Sequence, residues 1–326
     1  MKRQGRAFRG SLGALALGAL VGAQGERLNE PFTLPGSDVL AFALDARGHN
    51  AVFAADRDVD NVFELYGGPT DFRHARRELS AALVAGGAVV EFALSPDGAW
   101  AVYRADQAVD ESLELFAVPL AGNVAPVRLN PAQAADRDVS AFRISADSMR
   151  VVFLSNQRAV NSNELYSAPL DGSAPATLLH PLSGTRDTLD FAIAPDGSRV
   201  VERSDASGAV ELYSVPIDGS AAPVRLNGNL VQFATVASFR IAADSQRVVY
   251  LSDQSRAGVF DLFGGPLDGS APARRLNPRL PTNGDVSDYA LTPDARRVVY
   301  LADADTDSIS ELFVTDFTGN HAAKLD

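Results

Sequence analysis

Carboxylates set against aromatics and arginines make up most of the residues in this chain that could do chemistry. Glu64, Glu114, Glu164, Glu211, Asp261 and Glu311 each open an acid-Leu-aromatic triplet. A single such carboxylate could serve as a general acid or base. Six at regular intervals indicate a structural device instead, because a catalytic site needs one copy. The stretches "DRDVDN" (56–61) and "DADTD" (303–307) place Asp56, Asp58, Asp60 and Asp303, Asp305, Asp307 at alternate positions, as oxygen-ligand calcium loops do. Neither has Gly at the sixth position or Glu at the twelfth, so both are weak candidates and solvated acidic turns are the simpler expectation. His49, His74, His180 and His321 lack zinc-ligand spacing, and there is no cysteine. No "GxSxG", "GxxxxGK" or "HExxH" occurs. No catalytic residue, metal or cofactor is therefore assigned.

A second set of charges departs from the regular pattern. The residue before a recurrent aromatic is Glu91, Asp190 and Asp288 in the second, fourth and sixth repeats, and the residue after it is Arg143 and Arg240 in the third and fifth. If these segments line a central channel, the five form a belt of alternating charge, either an ion-pair ring or a polar ligand pocket. Near-axis charges must pair or stay hydrated. Arg143 is expected to pair with Glu91 or Asp190, and Arg240 with Asp190 or Asp288.

The elements that position these residues follow from the repeat itself. The aromatics are Phe42, Phe92, Phe142, Phe191, Phe239 and Tyr289, spaced by 50, 50, 49, 48 and 50 residues. Within a unit the hydrophobic period is two: in "VVEFALS" Val90, Phe92 and Leu94 share one side. "SPDG" then supplies a tight turn, "AWAVYRAD" a second strand, "LELFAVPL" a third and "APVRLN" a fourth. Four antiparallel strands repeated six times predict an all-β, six-bladed β-propeller, with blades near 38–80, 88–130, 139–180, 187–227, 235–277 and 285–326. The in-register aromatics are expected in the core. Phe32, Phe72, Trp100, Phe233 and Phe317 stand outside that register.

The runs "SPDG" (95–98) and "APDG" (194–197), each followed by a "VVY"-like strand, then "SD" or "AD", an "ELY" strand and "LDGS", resemble the repeat of the TolB-like propellers. The resemblance covers nearly all of the chain after its leader and implies a six-bladed ring. It extends to the propeller module alone: TolB carries an additional N-terminal α/β domain for which no room is expected here, so its translocation role is not carried over.

The leader is residues 1–23. Lys2, Arg3, Arg6 and Arg9 precede the apolar run "SLGALALGALVG", and a small-residue cleavage site ends near Ala23. The run is too short to span a bilayer, for which about 20 residues are needed, so cleavage and a periplasmic or secreted location are expected, with no transmembrane segment after processing. Loss of the four leader charges takes the formal net charge from −12 to −16, which disfavours nucleic acid. The mature chain, 24–326, is expected to be a monomeric scaffold for another envelope or extracellular protein or for a small polar ligand. The alternative is a hydrolase or lyase acting on a small polar or carbohydrate substrate at the channel. The fourth-strand phrase occurs seven times for six blades, and residues 26–30 are expected to close on the last blade.

Overall fold

Residues 37–71, 76–132, 136–281, 284–304 and 309–325 are described by the computed structural model of the chain. The leader, the segment 26–30, Asp305 and Asp307 lie outside these residues. The described chain is all-β, with six four-stranded antiparallel sheets whose strands follow chain order. It is a six-bladed β-propeller.

Blade one comprises β1 (Val39–Leu44), β2 (Asn50–Ala55), β3 (Glu64–Pro69) and β4 (Arg77–Glu78). Blade two comprises β5 (Val89–Leu94), β6 (Trp100–Ala105), β7 (Glu114–Pro119) and β8 (Val127–Arg128). Blade three comprises β9 (Val139–Ile144), β10 (Arg150–Ala159), β11 (Ser162–Pro169) and β12 (Thr177–His180). Blade four comprises β13 (Thr188–Ile193), β14 (Arg199–Ser204), β15 (Glu211–Pro216) and β16 (Val224–Arg225). Blade five comprises β17 (Val236–Ile241), β18 (Arg247–Ser252), β19 (Asp261–Pro266) and β20 (Arg274–Arg275). Blade six comprises β21 (Val286–Leu291), β22 (Arg297–Ala302), β23 (Glu311–Asp316) and β24 (Ala323–Lys324). The chain falls into two compact units, 1–151 with 168–176 and 152–167 with 177–326. Blades one and two belong to the first unit and blades four to six to the second, and the third sheet contributes strands to both.

Three local devices recur. The "SPDG" turn is closed by the Gly98 amide donating to the Ser95 carbonyl (2.9 Å), with Asp97 Oδ1 accepting the Ala99 amide (3.0 Å). Gly98 sits at φ +73°, and a Cβ there would lie 2.9 Å from the Asp45 Cβ of blade one; the close approach selects glycine here, while Ser148, Ser245 and Ala295 hold the same turn position at φ +61°, +57° and +55°. The Asp that ends the second strand caps the start of the first: Asp106, Asp205 and Asp253 each accept the amide of the residue 18 positions earlier at 2.6 Å, and Asp56 and Asp303 accept in the same way. The first strand carries a bulge, seen as a register shift between Val89 and Glu91, Thr188 and Asp190, and Val236 and Ser238.

Ring pairs between the second and third strands fill the sheets. Phe53–Tyr66, Tyr103–Phe116, Phe153–Tyr166, Tyr250–Phe263 and Tyr300–Phe313 stack at 5.2 to 5.7 Å between centroids. Leu65, Leu115, Leu165, Leu212 and Leu262 of the acid-Leu-aromatic triplets are fully buried beside them. Phe42 in β1 and Leu312 in β23 depart from their counterparts and are exposed.

Candidate functional site

Of the five charges of the expected belt, Glu91 and Asp190 each meet an arginine other than those read off the sequence. Glu91 faces Arg104 across the β5–β6 ladder, and Arg104 Nε lies 2.7 Å from Glu91 Oε2. Asp190 faces Arg203 across β13–β14 in a two-pronged pair at 2.7 and 2.8 Å. Both acids thus pair within their own blade. The bulge is the reason: it removes one residue from the register and sets the acid directly opposite the Arg of the second strand. Each guanidinium also reaches the next blade. Arg104 Nη1 donates to the Val139 carbonyl (2.6 Å), and Arg203 Nη1 donates to the carbonyls of Val236 (3.2 Å) and Ala237. These two arginines are therefore staples between consecutive sheets. Arg143 is exposed. Arg240 lies over the Tyr289 ring at 5.5 Å, and Asp288 Oδ1 accepts the Tyr289 amide. Burial pushes the Tyr289 hydroxyl up to about 12, against the downward pull of Arg240 and Arg203.

Blade four replaces the ring of its second strand with Glu202, which is fully buried. His180, at the end of β12 in the preceding blade, supplies the missing ring: it meets Tyr213 edge-on at 4.7 Å, and its Nδ1 contacts Glu202 Oε1. Thr188 Oγ1 donates to Glu202 Oε2 at 2.8 Å. A threonine, a carboxylate and an imidazole are thus brought together, as acyl-transfer sites also bring such groups together. In those sites, however, the hydroxyl donates to the imidazole, whereas here it donates to the carboxylate. The sequence carried the signal as two breaks in the repeat: His180 stands where Asn130, Asn227 and Asn277 stand elsewhere, and Glu202 where the other blades have Phe or Tyr.

The triplet acids are tied to the fourth strand. Arg128 binds Glu114 (2.9 Å), Arg225 binds Glu211 (2.8 Å) and Lys324 binds Glu311 (3.1 Å). In blade three Arg158 from the β10–β11 hairpin binds Glu164 (2.7 Å) instead. Burial pushes Glu211 up, but hydrogen bonds from Ser207, Tyr213 and Arg225 outweigh it and hold the carboxyl below its ordinary value. Blade one has Glu78 where blades two, four, five and six have a cation. Burial, followed by the nearby charges of Glu64 and Asp58, raises Glu78, and burial raises Glu64 despite a hydrogen bond from the Tyr66 hydroxyl.

Of the calcium candidates, Asp56 spends both oxygens on backbone amides, of Asp38 and Asn61. Asp58 lies 4.0 Å from Arg57, Asp60 accepts from the Asn61 side chain (2.9 Å), and Asp303 caps Asp285. Among the described residues no three His, Asp or Glu are grouped to hold a metal ion.

Phe233 is the most exposed large apolar side chain described, at 88 %. It sits at φ +67° in the turn closed by the Ala234 amide on the Val231 carbonyl (3.0 Å). The equivalent position, six residues before the first-strand aromatic, is Gly86 at φ +89° in the β4–β5 loop and Asp136 at φ +64° in the β8–β9 loop. Positive φ at this turn position favours Gly or Asn. A bulky ring there is strained.

No protein-family model matches the sequence, and no curated protein does. Solved structures do. Dipeptidyl peptidase 4 of Porphyromonas gingivalis matches 88% of this chain and 46% of its own, at 13% identity and a TM-score of 0.62. Oligopeptidase B of Leishmania major matches 89% of this chain and 40% of its own, at 13% identity and a TM-score of 0.53. TolB of Acinetobacter baumannii matches 84% of this chain and 63% of its own, at 15% identity and a TM-score of 0.40. The chain spans less than half the length of the two peptidases. At these identities the likeness is one of fold.

Proposed function

We propose that the chain is an exported propeller, processed near Ala23, that works as a binding scaffold for an envelope or extracellular protein. Phe233 carries this reading. Its ring is almost wholly in water, on a backbone conformation that costs about 1–2 kcal/mol for a residue bearing a Cβ, at a turn where blade one uses Gly86. Stability alone would favour glycine there, so the ring is kept for something it touches outside the fold. Aromatic anchors of this kind dominate protein–protein interfaces. Among the described residues no helix is long and apolar enough to cross a membrane, which is compatible with export.

The test is a comparison of the mature chain with Phe233→Gly as baits in an envelope extract, quantified by mass spectrometry. We expect one protein to be retained by the parent and lost with the variant, while the variant melts no lower than the parent. Equal retention by both would remove Phe233 from any interface. A hydrolase or lyase for small polar or carbohydrate substrates is the alternative, and turnover of such substrates by the purified chain would establish it in place of the scaffold.

A further inference from the structure

Blade five breaks the triplet-acid device by one methylene. Its acid is Asp261 where blades two and four have Glu114 and Glu211, and its Arg275 is consequently 3.7 Å from the carboxylate instead of 2.9 and 2.8 Å. Asp261 Oδ1 accepts the Asn277 side-chain amide at 2.8 Å, which draws the carboxylate further toward the blade interior. In front of Arg275 there is a cleft of about 320 Å³, lined also by Arg256, Arg279, Val259 and Leu280. Blades one and two have Val59 and Val109 in the slot of Arg256, and Ala82 and Ala132 in that of Arg279. Blade five therefore adds two guanidiniums where it shortens a carboxylate. Arg256 Nη2 donates to the Pro281 carbonyl (3.0 Å), while Arg279 has no hydrogen-bond or ion-pair partner among the described residues. Three arginines against Asp261 leave two positive charges around this cleft, in a chain whose formal charge is −12.

We infer that this cleft binds a small dianionic ligand, presenting a phosphate or a pair of carboxylates to Arg256, Arg275 and Arg279. The planar guanidinium fork suits both groups, and the volume lies at the lower end of the range for small-molecule pockets. The ligand oxygens would take the place that the Glu carboxylate occupies in blades two and four, with Val259 and Leu280 as the apolar wall beneath its carbon skeleton. The inference is independent of the role of Phe233.

Isothermal titration of the full mature chain with sodium phosphate and, separately, sodium malonate, in chloride buffer of constant ionic strength, tests it. At least one of the two is expected to bind one per chain with a dissociation constant of about 1 mM or tighter, a level that two or three exposed charge-assisted contacts can reach. The tighter of the two assigns phosphate or dicarboxylate. Arg279→Gln should weaken that binding by about tenfold. Asp261→Glu supplies the missing methylene, lets the chain's own carboxylate reach Arg275, and should remove binding while leaving the melting temperature at or above that of the parent. The inference is overturned if neither anion binds the parent, or if both variants bind as the parent does.

Discussion

A side chain in the left-handed region brings its Cβ against the following carbonyl, and Phe233 accepts that contact at φ +67° while holding its ring in solvent. Phe233→Gly should therefore raise the melting temperature by about 2 °C, the shift that roughly 1 kcal/mol produces in a chain of this size, and scanning calorimetry is the check. His180 and Glu202 make the opposite case, in which two departures from the repeat depend on each other. With His180→Asn the fully buried Glu202 keeps only Thr188 as a described side-chain partner. Removing one member of a buried ionisable pair costs about 3–5 kcal/mol, and urea denaturation should show a loss of that order. The double change His180→Asn with Glu202→Tyr restores the residue types found at Asn227 and Tyr250 and should recover most of it. An additive double variant would mean that the two residues are not coupled. Neither effect was legible in the sequence as an energy. Both positions were legible as breaks in a repeat, and only the backbone at 233 and the reach of His180 from the neighbouring sheet showed what the breaks do.

At the level of strands, the two-residue period, the "SPDG" turns and the six-fold spacing were enough to place four strands per blade. The partner of each first-strand acid was not legible, because a bulge shifts register without leaving a mark in the residue pattern. Arg104 and Arg203 lie 13 residues after Glu91 and Asp190 and oppose them only once that bulge is known. Blade one shows the same logic in reverse. Glu78 in β4 occupies the slot of Arg128 and Arg225, and it and Glu64 are both raised above their ordinary value of 4.5, burial being the largest cause for each. A carboxyl raised in this way binds its proton more readily in the folded chain than in the unfolded one, so stability falls as pH rises from 4.5 through the raised values. Glu78→Arg should raise the melting temperature at pH 7 by about 2 °C, with Glu64 gaining the partner its counterparts have. The advantage over the parent should shrink as the pH is lowered toward 4.5. A constant advantage across that range would show that the gain has another source.

For the molecule as a whole, Asp56 and Asp303 of the acidic loops are spent on backbone amides and Asp60 on the Asn61 side chain, so a chelator should leave the melting temperature where it was. A fall of several degrees in EDTA would place a metal in one of them. The staples carry a further consequence. Glu91 and Asp190 are 99 residues apart, as are Arg104 and Arg203, and each Arg fastens its sheet to the carbonyls of the sheet that follows. The turn hydroxyls repeat the alternation: Ser148 Oγ accepts the Asp97 amide and Ser245 Oγ accepts the Asp196 amide, again from blade two to three and from four to five. Blades two and three thus share with blades four and five a set of joints that a single-blade repeat would not produce. The same two contacts, an arginine on a backbone carbonyl and a serine hydroxyl on a turn amide, hold both of these blade pairs.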